Sequence, residues 1–337
     1  MTRHCCRVTR SGLPLGAQQV KLMHVGTRWL TLLLCAVLSA ATCLADETRL
    51  TLLTFNAWGG GLNEAKPIDE TLAVLRAAGA DLVGLQEARA ESSVCTAEDC
   101  PPGEQSIAPA LASSLGMHLH EQRGDVNVVW ACAIFSRYPI LRSTPNDLGV
   151  VVDIGGRRVA VFNIHPTDFP YQPYQLLRIP YGEAPFLETA AQAEQAAADA
   201  RREALKLLLE DLASVRDTEA QVIFGDFNEP SWRDWSERAA ALGRHPMSVN
   251  YPLTRALEES GFVDALRVVY PDEIAKPAYT WTPTTRPDDP ADHHDRIDFV
   301  FVRGAALTVE SAAVLGEKRP EADRVITPWP SDHRAVQ

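Results

Sequence analysis

The chain has 337 residues, of which 46% are hydrophobic and 23% charged. That is enough apolar material for one sizeable core or two small ones, and it excludes wholesale disorder. The formal charge of −12 argues against a nonspecific nucleic-acid binder, because an anionic body repels polyphosphate unless a metal or a local basic patch intervenes.

Residues 1–45 carry Arg3, Arg7, Arg10, Lys21 and Arg28 and no acid, then an apolar run from Trp29 to Leu44, then Ala45. A basic stretch, an apolar core and a small boundary residue read as a secretory signal, with cleavage after Ala45 as the first choice and an uncleaved N-terminal anchor as the alternative. Met23 offers a second possible start. Removing the leader's five basic residues leaves 27 Lys and Arg against 44 Asp and Glu, a formal charge of −17. Four of the seven cysteines lie in the leader. Cys95 and Cys100 share a polar loop in which a small disulfide is expected in an oxidising compartment, with two free thiols as the alternative. Cys132 sits in an apolar run and reads as a buried thiol.

After the leader, Arg49–Gly61 reads as a strand ending in glycine turns. Residues 64–78 place Ile68, Leu72 and Leu75 on one helical face, and residues 80–88 form a second apolar strand, so the three make a β–α–β unit with parallel strands. Another apolar run covers Val126–Phe135. Two strands around the turn Gly155-Gly156 predict a hairpin that ends at His165. Residues 165–185 hold five prolines and four aromatics and read as an ordered loop. A long helix is expected from Glu188 to Ser214, with Leu205, Leu208, Leu209 and Leu212 on one face. A strand ending in Gly225-Asp226 follows, then mixed structure over 231–260. Strands around Tyr279–Pro283, Arg296–Val302 and Ala312–Leu315 complete the pattern. Strands and helices alternate throughout 46–337 without a linker, which predicts one α/β domain with a mixed sheet or two packed sheets.

Polar residues recur at the C-terminal ends of these apolar strands, where open α/β sheets place their sites. They are Asn56, Glu87, His165, Asp226, Asn228, Asp298, Asp332 and His333. One carboxylate at a strand end is ordinarily a solvated loop residue or a helix cap; a whole set of acids, amides and histidines in one chain is not explained that way.

The segments TFNAWGG, LQEA, AIFSRYPI, NIHPTD, GDFNEP, DRIDFVFV and SDHRAV, in that order from Leu52 to Val336, resemble the endonuclease/exonuclease/phosphatase superfamily, whose members include deoxyribonucleases, abasic-site endonucleases and neutral sphingomyelinases. The resemblance implies a four-layer α/β/β/α sandwich of two mixed β-sheets flanked by helices, and hydrolysis of phosphate esters with Mg²⁺ or Mn²⁺. It implies Glu87 as the principal metal ligand, with Asn56, Asp298 or Asp332 close by, directly or through water. Asp226 resembles the residue that orients or deprotonates the attacking water. Asn228 would hold the water or a phosphate oxygen, His165 and His333 would donate to phosphate oxygens, and Asp298 would hold His333. These residue types suit such chemistry, since a hard divalent cation takes oxygen ligands and a carboxylate beside an imidazole favours its cation.

Other positions are open to two readings. Arg137 either reaches phosphate or pairs with a surface acid. Asp168 either touches substrate or caps a turn. Asp292, His293, His294 and Asp295 read first as a solvated acidic loop and second as another metal site, because adjacent residues seldom converge on one hard ion. Trp58, Trp281 and the tyrosines of YQPYQ wall a substrate pocket or belong to the core.

The expected function is a secreted or periplasmic, metal-dependent phosphodiesterase acting on a lipid head group or a nucleotide-type diester. An extracellular nuclease is the alternative, with duplex nucleic acid disfavoured by the anionic body. A non-catalytic binding protein on the same fold would predict losses among the site residues, and all eight are present.

Overall fold

In the computed structural model, residues 47–90, 106–123, 128–305 and 307–337 are described. The leader, the Cys95–Cys100 loop and the start of the 126–135 run lie outside them. Leu50–Gln337 forms one compact unit.

Among the described residues, thirteen strands make two sheets. The first contains β1 (Leu52–Asn56), β2 (Leu82–Gln86), β3 (His118–Glu121), β4 (Ala133–Ser136), β11 (Val314–Gly316), β12 (Arg324–Val325) and β13 (Ala335–Val336). The second contains β5 (Ile140–Ser143), β6 (Gly149–Ile154), β7 (Arg157–Ile164), β8 (Ala220–Asp226), β9 (Val263–Asp264) and β10 (Asp298–Arg303). Their orders are 12-11-13-1-2-4-3 and 5-6-7-8-10-9. Both sheets are mixed: β1 and β2 run parallel, as the β–α–β reading requires, and so do β7 and β8.

Alternation along the strands builds three apolar interfaces. Leu53, Phe55, Val83, Leu85 and Phe135 meet the helices Ile68–Ala78 and Ala108–Leu115 on one side of the first sheet. Val151, Phe162, Ile223, Phe299 and Phe301 meet the helices Ala190–Ser214 and Pro252–Glu259 on the outer side of the second. Leu82, Ile134 and Val336 face Val161, Val222, Phe224 and Val300 between the sheets. Strands covered on both faces read as continuous apolar runs, as β7 and β8 do. The architecture is the four-layer sandwich.

The second sheet crowds Gly84, where a Cβ would lie 2.4 Å from Phe224 Cβ and 2.8 Å from Asn163 Oδ1. Gly84→Ala is therefore expected to cost about 1–3 kcal/mol or more through overpacking, read as a lower urea midpoint in equilibrium unfolding.

Several boundaries differ from the sequence reading. The first helix starts at Ile68 because Pro67 occupies its N-cap, and Gly59–Glu64 makes a 3₁₀ turn. The long helix begins at Ala190 behind a Thr189–Gln192 capping box. The proline-rich stretch contains a short helix, Gln172–Leu177, with proline in its first turn, where the missing N–H is harmless.

Candidate active site

Strand register explains why distant residues meet. In β1 and β2, Asn56 lies opposite Gln86, so Glu87 follows directly beside Asn56. In β7 and β8, Ile164 lies opposite Gly225, which puts His165 next to Asp226. In antiparallel β8 and β10, Asp226 faces Asp298. β13 returns antiparallel to β1 with Val336 opposite Thr54, bringing Asp332 and His333 back to the same end. Asp298 and the Asp332-His333 pair thus lie at the starts of their strands rather than at the C-terminal ends.

Asn56 stands at the centre. Its Nδ2 donates to Glu87 Oε1 at 2.8 Å and to Asp226 Oδ2 at 3.0 Å, linking the two sheets. Its Oδ1 accepts from Trp58 N, which fixes the amide's orientation. His165 Nε2 lies 3.7 Å from Glu87 Oε1 and 3.6 Å from Asp226 Oδ2. His333 Nε2 is 3.5 Å from Asp226 Oδ2, and its Nδ1 is 2.9 Å from Asp298 Oδ2. Asp226 Oδ1 accepts the Asn228 N–H at 2.9 Å, while Asn228 Nδ2 donates to the Pro166 carbonyl.

The chain is strained where it presents these groups. Glu87 has φ 50° and Asn228 φ 49°. Asparagine tolerates the left-handed region; a glutamate there costs on the order of 1 kcal/mol and persists only if its surroundings enforce it. Below the site, buried amides brace the sheets. Gln86 Nε2 donates to Asn163 Oδ1 at 2.6 Å, and Asn163 Nδ2 donates to the Leu85 carbonyl at 2.9 Å.

The electrostatics are those of a site with too much negative charge. Burial pushes Glu87 up to about 7, and Asp332 adds to the rise, against the pull of His165, Asn56 and His333. Burial raises Asp332 as well, with Asp226 adding to it and His333 opposing. Burial would push His333 down, but Asp298, Asp226 and Asp332 more than offset this and hold it well above the usual imidazole range, as a cation. Among the described residues, nothing hydrogen-bonds the buried Glu87 Oε2, Asp298 Oδ1 or Asp332 Oδ1. Unpaired buried carboxylate oxygens are costly, and a divalent cation would satisfy them. Glu87, His165 and Asp226 each offer a ligand atom within 4.8 Å of the others, as do Asp226, Asp298 and His333. The donor set, rich in carboxylate oxygen, fits a hard ion of the Mg²⁺ or Mn²⁺ type.

Eight of the ten expected site residues converge. Arg137 does not, and its substrate-binding reading is corrected: Ser136 lies opposite Leu82, so Arg137 sits beside the start of β2, whereas Glu87 follows its end. Its Nε donates to the Ala80 carbonyl at 3.1 Å and lies 3.4 Å from Asp81, a pairing with a surface acid. Asp168 is exposed and accepts from the Tyr181 hydroxyl, so it shapes the loop after His165 rather than joining the cluster. The 292–295 segment is not a solvated loop: His294 and Asp295 are buried, and Asp295 accepts from Tyr171 and Trp235. Trp281 stands 6.5 Å, ring to ring, from His333 and packs on Tyr171 and Tyr174, so Trp281 borders the cluster while the two tyrosines belong to the buried core behind it.

A model of the endonuclease/exonuclease/phosphatase family matches residues 53–333. The chain belongs to this family. The family's chemistry is hydrolysis of phosphate esters, and the match spans every residue of the cluster. An uncharacterised protein of Caenorhabditis elegans, F14F9.5, is 31% identical over 121 residues, which are 34% of this chain and 38% of that protein. Among solved structures, a family member from Leptotrichia buccalis is 15% identical, over 86% of this chain and 98% of that one, with a TM-score of 0.48. An AP endonuclease from Archaeoglobus fulgidus is 16% identical over 86% and 98%, with a TM-score of 0.47.

Sequence reading missed Arg201. It is 2% exposed and holds the loop that carries Asn228: Nη1 donates to Gln172 Oε1 at 2.9 Å, Nε to the Phe227 carbonyl at 3.3 Å, and Nη2 to the Asn228 carbonyl. The signal was available. Arg201 shares the helical face of Ala193, Ala197, Ala204 and Leu208, so an arginine falls on a stripe that is otherwise apolar.

Proposed function

We propose that the chain is a divalent-metal-dependent phosphodiesterase that acts outside the cytoplasm, using an activated water. The reading is carried by the buried, unpaired oxygens of Glu87, Asp298 and Asp332 around a cationic His333. Glu87, with Asn56 and Asp332, would hold the ion, which supplies charge neutralisation at a phosphoryl oxygen. Asp226 accepts the proton of the attacking water, its carboxylate held in place by Asn56 and the Asn228 N–H. His333 and His165 donate to the non-bridging oxygens, where charge develops as water adds and the ester oxygen leaves. Asp298 fixes the His333 ring through Nδ1, leaving Nε2 toward the site. The basic stretch and apolar run of residues 1–45 support export.

For substrate, Trp281 beside His333 and the anionic body favour a lipid head group or a nucleotide-type diester over duplex nucleic acid. The test is to assay the purified protein on sphingomyelin, a chromogenic phosphodiester, single-stranded DNA and plasmid. Chelation is expected to reduce turnover at least a hundredfold, and Mg²⁺ or Mn²⁺ to restore it. Hydrolysis that survives exhaustive chelation contradicts the metal assignment, and cleavage of DNA alone replaces the substrate reading with that of a nuclease.

A further inference from the structure

A second cluster lies on the far side of Trp281, whose main chain pairs with both Asp295 and His333. His245 Nδ1 and His293 Nε2 are 3.1 Å apart, His293 Nε2 is 3.8 Å from Asp295 Oδ1, and each of the three residues offers a ligand atom within 4.8 Å of the others. We propose that His245, His293 and Asp295 form a binding site for a zinc-type divalent transition ion, separate from the carboxylate-rich catalytic cluster.

Three features carry this. The first is spacing. A point equidistant from three atoms so spaced lies about 2–2.4 Å from each, the length of a zinc–nitrogen or zinc–oxygen bond. The imidazole nitrogens are in hydrogen-bonding contact at 3.1 Å, while Asp295 Oδ1 stands 3.8 Å from the same His293 nitrogen, too far for a hydrogen bond and near enough to share an ion. The second is the orientation of the ligands by their neighbours. Asp295 Oδ1 accepts from Trp235 Nε1 at 2.8 Å and Oδ2 from the Tyr171 hydroxyl at 2.7 Å. His245 stacks on the Trp235 ring at 4.2 Å between centroids and is hydrogen-bonded to the main chain of Asp234. Bonds of this kind fix the rotamer and tautomer of metal ligands. The third is the way the segment converges. In extended chain, residues i and i+2 share a side, so His293 and Asp295 turn together while His294 faces Thr285 and Tyr279. His245, far away in sequence, completes the set. Two imidazoles and one carboxylate suit zinc and its neighbours, whereas Mg²⁺ prefers oxygen alone. The ion would tie the loop bearing His245 to the approach of β10 and so brace the buried tyrosines on which Trp281 packs.

The site is tested by stripping the purified full-length protein with chelator and titrating Zn²⁺ against a chromophoric chelator in excess Mg²⁺, with the visible spectrum of the Co²⁺-substituted protein as a second readout. Wild type is expected to bind one equivalent of Zn²⁺ that Mg²⁺ does not displace. His293→Gln and Asp295→Asn are expected to weaken that equivalent at least a hundredfold and to lose the Co²⁺ bands, while Glu87→Gln retains both. Wild type that takes up no Zn²⁺ in excess Mg²⁺ overturns the proposal, and this measurement stands even if a variant fails to fold. So does a Zn²⁺ equivalent that disappears in Glu87→Gln and persists in His293→Gln.

Discussion

Asp226→Asn is expected to lower kcat by about two to four orders of magnitude, the usual contribution of a positioned general base, while the protein unfolds at the same denaturant midpoint within about 0.5 kcal/mol. The expectation follows from the position of the side chain. Its two oxygens reach Asn56 Nδ2, the Asn228 N–H and His333 Nε2, so it stands between the sheets and beside both the proposed ion and the histidine cation. An amide of the same shape preserves most of these contacts but cannot take a proton from water. KM is expected to change far less than kcat, because the interaction lost is one made in the transition state. Steady-state kinetics on the best substrate, with circular dichroism as the control for folding, decides it. An Asp226→Asn protein with wild-type turnover means that the water is activated elsewhere.

The second large effect is on stability. Arg201→Met is expected to cost about 3–5 kcal/mol, as when one partner of a buried ion pair is removed. Arg201 Nε lies 3.8 Å from Glu229 Oε2, and both side chains are essentially inaccessible. The substitution also strips hydrogen bonds from the Phe227 and Asn228 carbonyls. Glu229 is itself engaged at the start of the helix Pro252–Glu259, where its Oε1 accepts the Leu253 N–H at 2.7 Å. Burial pushes Glu229 up to about 7, opposed by Arg201 and by the Leu253 and Thr254 amides. The folded chain therefore keeps a proton there that the unfolded chain releases above about 4.5. Stability from this group is complete below that value and is lost as pH rises through about 7. Without Arg201 the folded value rises further, so the loss continues to higher pH. The deficit of Arg201→Met against wild type, read by urea unfolding, is expected to be larger at pH 8 than at pH 6. A deficit that shrinks over that interval contradicts the assignment.

Much of this molecule is legible in its sequence because the two sheets are covered on both faces. Apolar runs such as QVIFGD and RIDFVFV can only be central strands, and their polar ends stand out against them. Asn56, Glu87, His165, Asp226, Asn228, Asp298, Asp332 and His333 are visible for that reason. What the sequence hides is register. Nothing local distinguishes Arg137, at the wrong end of β4, from a residue at the site, because strand direction decides which end faces the cluster. Nothing local in DHHD separates a solvated loop from a buried one either, since Asp295 is paired by Trp235 and Tyr171 from distant elements. Arg201 was hidden differently. Its neighbours Arg202 and Glu203 are exposed, and the triplet resembles an ordinary solvated face unless the helical stripe is counted.

The central claim is that the strand-end cluster hydrolyses a phosphodiester by direct attack of water beside a divalent ion. The most direct measurement is a single-turnover hydrolysis of a chromogenic phosphodiester by the Mg²⁺-loaded protein in isotopically labelled water, with the phosphate product analysed by mass. The account predicts one labelled oxygen on phosphorus for each bond cleaved, with about two to four orders of magnitude less labelled product formed by Asp226→Asn in the same time. Label in the leaving alcohol, or turnover in which the first product carries no label on phosphorus, would contradict it.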